Sequence, residues 1–189
     1  MALQQQGLRY GTYYSNNSNG GGNKMARMLI VGVIVAAVIG TALFALTLVN
    51  GNSRNDLTLL AVRENSLLTL ANASQKEIRH PDLSTANSNA TVLMTSDVAT
   101  IVTDTGIKKL PDDLVKKEAD TNGETLKQAG LLNKFDNTYR QIVLTKVAAL
   151  ISQAETLKPT VSNKKSRDVV DKIIVNLKSI EKQFTDLSL

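Results

Sequence analysis

Few residues of this chain could support catalysis or metal binding. His80 is the sole histidine and there is no cysteine, which excludes thiolate catalysis, disulfides and Cys-ligated zinc or iron–sulfur sites. One imidazole supplies neither a Ser-His-Asp triad nor the two Glu-x-x-His pairs of a di-iron bundle. His80 also precedes Pro81, where a helix is expected to end. We therefore interpret His80 as a solvated turn residue, with a role as a base or ligand as the alternative.

Two pairs of carboxylates are close enough in sequence to be considered for acid–base catalysis. Asp112 and Asp113 follow Pro111 and are typical of a helix start, where the helix dipole favours acidic residues. Asp168 and Asp171 have lysines nearby and indicate an exposed helix face. Neither pair has the apolar surroundings that raise a carboxyl pKa for proton transfer. We predict no catalytic residue, no metal site and no cofactor, and hence a protein that is not an enzyme.

Three charged residues fall on or beside the apolar stripes of predicted helices. Glu64 interrupts the stripe of the first helix, whereas Asp97 and Lys146 lie next to the stripes of later ones. Asp97 and Lys146 could pair or fix the helix register. The favoured interpretation is that Asp97 and Lys146 border the stripes and extend into solvent.

The net charge of +5 is concentrated near the N-terminus. Four of the 22 basic residues, Arg9, Lys24, Arg27 and Arg54, precede Asn55, whereas all 17 acidic residues follow it. The rest of the chain is therefore close to neutral and lacks the basic stripe that phosphate binding requires. This argues against a nucleic-acid partner.

An uncharged apolar run extends from Met28 to Val49. A bilayer core needs about 20 apolar helical residues, and the run is longer than the apolar part of a cleaved signal peptide. It predicts an uncleaved, single-pass transmembrane helix with membrane lipid as a partner. Lys24 and Arg27 abut its N-terminal end and place a disordered tail, residues 1–27, in the cytoplasm. A polar collar, 50–55, then leads to an extracytoplasmic domain, 56–189.

Within this run, small side chains recur at every fourth position. Gly32, Ala36 and Gly40 would share one helix face, where a second helix can approach closely. They predict a face for association with another membrane helix, although such rows also arise by chance.

The remaining chain shows helical periodicity. Helices are predicted at about 56–79, 82–105, 124–158 and 162–187, with a short amphipathic piece and a turn over 107–123. The last helix has a seven-residue apolar repeat, carried by Val170, Ile173, Leu177, Ile180, Phe184 and Leu187. With breaks at Pro81 and Pro159, the pattern predicts an all-α fold in which an elongated, antiparallel, coiled-coil-like four-helix bundle follows the transmembrane helix.

These observations favour a function based on binding. The leading hypothesis is a membrane-anchored structural or partner-docking subunit at the cell surface, with a protein partner or a second copy of the chain bound. The alternative is an extracytoplasmic sensor, in which a small molecule binds between the helices and the signal passes to a separate partner.

Overall fold

The computed structural model describes residues 53–189, which form five α-helices and no strand. This confirms the all-α prediction. The helices are α1 (Ser53–Ser74), α2 (Pro81–Thr105), α3 (Asp112–Leu131), α4 (Phe135–Leu157) and α5 (Lys164–Thr185), with a short 3₁₀ turn, Lys158–Thr160, between the last two.

Four of the helices form a ring in which each is antiparallel to both of its neighbours. α1 packs against α2, α2 against α5, α5 against α4, and α4 against α1. α3 packs against α1 and α4 and carries the chain from the far end of α2 back to the start of α4. One side-chain hydrogen bond illustrates the register of each neighbouring pair: Asn87 to Ala71, Asn176 to Asp97, Arg140 to Phe184 and Arg63 to Gln153.

Local sequence explains the helix ends. Pro81 occupies the first turn of α2, where its missing N–H is not needed, and Gly106 ends that helix at φ 66°. Asn163 caps α5 by accepting a hydrogen bond from the backbone N–H of Lys165 at 2.9 Å. The heptad residues of α5 from Val170 to Phe184 are all buried, which confirms the predicted stripe.

The predicted third helix, 124–158, is wrong because the chain turns between α3 and α4. Asn133 adopts the left-handed conformation, with φ 54°, which asparagine tolerates better than most residues. The backbone N–H of Lys134 then donates to the carbonyl of Ala129 at 2.9 Å and closes the turn. The predicted break at 121–123 is also wrong, since α3 continues through it. The described part of the bundle therefore has five helices rather than four.

The membrane location requires correction. The predicted transmembrane helix, 28–49, lies outside the described residues, as do the association face of Gly32, Ala36 and Gly40 and the topology residues Lys24 and Arg27. Among the helices of residues 53–189, none is long and apolar enough to cross a bilayer. As far as the described chain goes, the predicted single-pass location is wrong.

One polar group at the centre of the apolar core is fully hydrogen-bonded. Asn87 donates to the carbonyl of Ala71 at 3.0 Å and to the side chain of Gln75, and it accepts from the hydroxyl of Tyr139. Gln75 in turn donates to Ser84 at 2.8 Å. We call these side chains, Gln75, Ser84, Asn87 and Tyr139, the amide network. Because every member is neutral and paired, the network fixes the packing of α1, α2 and α4 without burying a charge.

The predicted exposure of Asp97 and Lys146 is wrong. Glu64 and Asp97 are both 0% exposed, and Lys146 is also buried. The amide of Asn176 donates to Asp97 Oδ1 at 2.7 Å, and Lys146 also makes an interaction of its own. The positions explain the burial, because Glu64 is four residues after Leu60 and three before Leu67, on the inner face of α1. Asp97 occupies the equivalent place in α2.

Candidate functional site

A cleft of about 630 Å³ lies at the end of the bundle where the α1–α2 loop meets the α3–α4 turn. We call it the end cleft. Apolar side chains from three helices contribute to its lining, among them Leu70 of α1, Leu126 of α3 and Phe135 of α4. Its volume is within the range of sites that hold small molecules or single peptide side chains.

Asp136 joins the two halves of the end cleft. Its carboxylate accepts a hydrogen bond from the backbone N–H of His80 at 2.8 Å and from that of Arg79 at 3.2 and 3.3 Å. These N–H groups would otherwise donate within a continuing helix, and α1 accordingly ends at Ser74 rather than near the predicted Arg79. The first turn of α4 also favours an acidic residue through the helix dipole. Asp136 thus ties the α1–α2 loop to the start of α4, and its negative charge remains part of the cleft lining.

Two consecutive leucines are exposed beside the cleft. Leu131, which lines it, is 76% exposed, and Leu132 is 45% exposed. They are the last residue of α3 and its C-cap, so the turn that ends the helix directs them outward. Scattered exposed leucines are ordinary, but an adjacent pair beside an apolar-lined cavity is typical of an interaction surface.

The rim of the end cleft has an excess of positive charge. Arg79, Lys127 and Lys134 line it, against the carboxylates of Glu77 and Asp136. Within the described chain, none of these three cations forms an ion pair; Arg79 makes a weak hydrogen bond of 3.5 Å to Asn133. The cleft therefore presents cationic groups to any bound molecule.

His80 lies at this site rather than in a solvated turn. It is half-buried at the N-cap of α2, and its side chain does not cap that helix. Its Nδ1 atom is buried and has no hydrogen-bond partner in the described part of the molecule. The imidazole is the one polar ring on the cleft lining.

The other candidate residues from the sequence do not come together into a reactive site. Asp112 begins α3, as predicted, and Asp171 forms an ion pair of 2.6 Å with Lys158 in which both side chains are nearly half exposed. Residues 53–189 contain no group of three or more His, Cys, Asp or Glu side chains arranged to hold a metal. The end cleft combines apolar and charged groups in one concave surface.

The fold and cleft define a class: an all-α antiparallel bundle with an open, cationic-rimmed cavity at one end. No protein-family model, no curated protein and no solved structure matches this chain.

Proposed function

We propose that this protein acts by binding, and that the end cleft docks a short segment of a partner protein with an apolar side chain at its centre and acidic residues on either side. The observation that carries the proposal is the exposed Leu131–Leu132 pair at the edge of the 630 Å³ cleft. Exposure of this pair costs free energy that contact with a partner recovers, since removal of apolar surface from water is the main favourable term in association.

The apolar lining determines the centre of the bound segment. Leu70, Leu126 and Phe135 contribute to the lining of an open cleft whose volume would admit one or two bulky side chains. Leu131 and Leu132 extend that surface outward, where they would cover the neighbouring residues of the segment. Such a central anchor surrounded by weaker contacts is the usual arrangement of an energetically important binding site.

The rim determines the flanks of the segment. Arg79, Lys127 and Lys134 would attract acidic side chains, and charge complementarity of this kind increases the association rate and selects among partners. Because the lysines are exposed, their contribution is screened by salt. Binding is therefore expected to weaken as the ionic strength rises.

Photo-crosslinking in intact cells tests the proposal. A benzophenone amino acid placed at Leu131 of the full-length chain is expected to give one adduct of defined mass. The matched positions are Val92 and Val175, which are 69% and 66% exposed on α2 and α5 and should not give that adduct. The peptide identified in the adduct is then synthesised and titrated against the purified protein.

A charge-reversal variant tests whether the rim lysines contribute to this binding. Lys127→Glu with Lys134→Glu should weaken binding of that peptide by at least about fivefold, which corresponds to about 1 kcal/mol. An equal adduct at Val175, no adduct at Leu131, or a peptide without acidic residues would contradict the proposal. An adduct with the mass of two chains would instead assign the cleft to a second copy of this protein.

A second candidate function is carried by His80. Its unpartnered Nδ1 atom and the cationic rim also suit a small amphipathic carboxylate, which would make the bundle a ligand sensor. Medium-chain carboxylates are the probe, and a rise in the unfolding midpoint of the wild-type chain that is absent in His80→Ala would favour this candidate. Equal midpoints with and without the carboxylates would contradict it.

A further inference from the structure

Two carboxyl groups meet at the centre of the bundle without hydrogen-bond donors sufficient to pair them. Glu64 of α1 and Asp97 of α2 are both 0% exposed. Asp97 Oδ1 accepts from Asn176 of α5 at 2.7 Å. Neither oxygen of Glu64, nor Asp97 Oδ2, has a hydrogen-bond partner in the described structure. We call Glu64 and Asp97 the acid pair.

Two ionised carboxylates cannot satisfy each other, because both groups only accept hydrogen bonds. A buried ionised carboxylate without donors is so costly that the group takes up a proton instead. One proton placed between the two groups turns one of them into a donor and leaves a single negative charge. The pairing of the acid pair therefore requires one proton.

The surrounding charges determine which member is protonated. On α5, the ammonium of Lys172 and the amide of Asn176 both favour ionised Asp97. On α1, Arg63 donates to Gln153 at 2.7 Å. Other charged groups on the described helices around the pair include the buried Lys146 of α4, which makes an interaction of its own, the exposed Lys116 of α3, and the partly exposed pairs Lys178–Glu155 and Lys158–Asp171.

We propose that Glu64 holds this proton and shares it with Asp97 in the folded bundle, and that its loss opens the contact between α1 and the α2–α5 pair. The acid pair is then a proton-operated switch at the centre of the fold. It does not depend on what occupies the end cleft. The step is a simple dissociation, in which the Glu64 carboxyl gives its proton to water and two facing carboxylates remain.

The pKa values agree in direction with this geometry. Burial, and secondly the facing Asp97, raise the pKa of Glu64 well above its usual value. Burial also raises the pKa of Asp97 to about 6, against the opposing effects of Asn176 and Lys172. A group whose folded pKa exceeds its unfolded pKa binds more protons when folded, so the bundle loses stability as pH rises through that interval. The decline begins near the unfolded carboxyl pKa of about 4.

Denaturant unfolding of the full-length chain across pH 5 to 8 tests the proposal. For each proton released on unfolding, the unfolding equilibrium constant of the wild type should rise by up to about tenfold per pH unit. Glu64→Gln keeps the shape of the side chain and supplies a permanent donor to Asp97, so most of this slope should disappear. Glu124→Gln changes an exposed glutamate of α3 and should leave the slope intact.

Infrared spectroscopy of the wild type gives a readout that does not depend on any variant folding. A protonated buried carboxyl is expected at pH 6, as a carbonyl band that is absent in Glu64→Gln. Amide hydrogen exchange in α1 should also increase with pH beyond its intrinsic dependence in the wild type, and not in the variant. A flat wild-type pH profile, an unchanged slope in Glu64→Gln, or the absence of the carbonyl band would each overturn the proposal.

Discussion

The amide network and the acid pair are two groups of polar side chains inside the same apolar core. They differ in charge and in how completely their buried atoms are hydrogen-bonded. In the amide network, Asn87 and Tyr139 are neutral and every buried polar atom has a partner. In the acid pair, three buried carboxylate oxygens have none in the described chain. Both groups connect α1 to α2, but the first adds α4 and the second adds α5.

The two groups show two different effects that buried polar side chains can have on a fold. A satisfied neutral network specifies one packing arrangement and does so at any ordinary pH. A pair of buried acids is compatible with the fold only in the correct protonation state, so the stability of the fold depends on pH. Burial also raises the pKa of the Tyr139 phenol, which keeps that hydroxyl neutral and the amide network insensitive to pH between 5 and 8.

The largest effect is expected on removing the centre of the amide network. Asn87→Ala leaves the buried hydroxyl of Tyr139 without its acceptor and opens a cavity, and the two costs together amount to about 3 kcal/mol of unfolding free energy. Denaturant titration measures this, and the loss should be equal at pH 5 and pH 8. The matched variant Asn89→Ala removes an exposed amide of the same helix and should cost less than about 0.5 kcal/mol. If the loss of unfolding free energy in Asn87→Ala changes with pH, the amide network would depend on protonation in the same way as the acid pair.

Sequence periodicity predicted those parts of the fold that depend on one helix at a time. The heptad of α5 and the limits of α2 at Pro81 and Gly106 are of this kind. The turn at Asn133 was missed because Leu132 and Phe135 continue the apolar spacing across it, whereas Leu132 is in fact 45% exposed. Asparagine adopts a positive φ more readily than most residues, but this preference does not distinguish Asn133 from the other asparagines of the chain.

The sites were less predictable, because they depend on which helices meet. Glu64 and Asp97 each occupy a stripe position, which was a usable signal, but their juxtaposition follows only from the register of α1 against α2. The end cleft exists because α3 stops at Leu131 and returns the chain to the α1–α2 loop. A helix that continued through that point would leave no such cavity. Without the cavity, the sequence around His80 indicates only an ordinary turn residue.

An intermediate effect is expected at the edge of the acid pair. Asn176→Ala removes the donor to Asp97 Oδ1, a hydrogen bond that favours the ionised form, so the pKa of Asp97 should rise above about 6. The expected cost is about 1 to 2 kcal/mol at pH 7. It should shrink toward pH 5, where Asp97 becomes protonated and the lost donor matters less. Unfolding titrations at several pH values measure the change. A cost that is the same at pH 5 and pH 7 would show that Asp97 does not titrate in this range.

The smallest effect is expected at the periphery of the amide network. Gln75→Ala removes a half-buried side chain that accepts from Asn87 and donates to Ser84, and solvent can replace part of both hydrogen bonds. The expected loss is about 0.5 to 1 kcal/mol without pH dependence, against no measurable change for the exposed Gln128→Ala. If Gln75→Ala proves as costly as Asn87→Ala, the amide network acts as a single unit whose members cannot be removed independently. Its contrast with the acid pair would then lie in cooperativity as well as in charge.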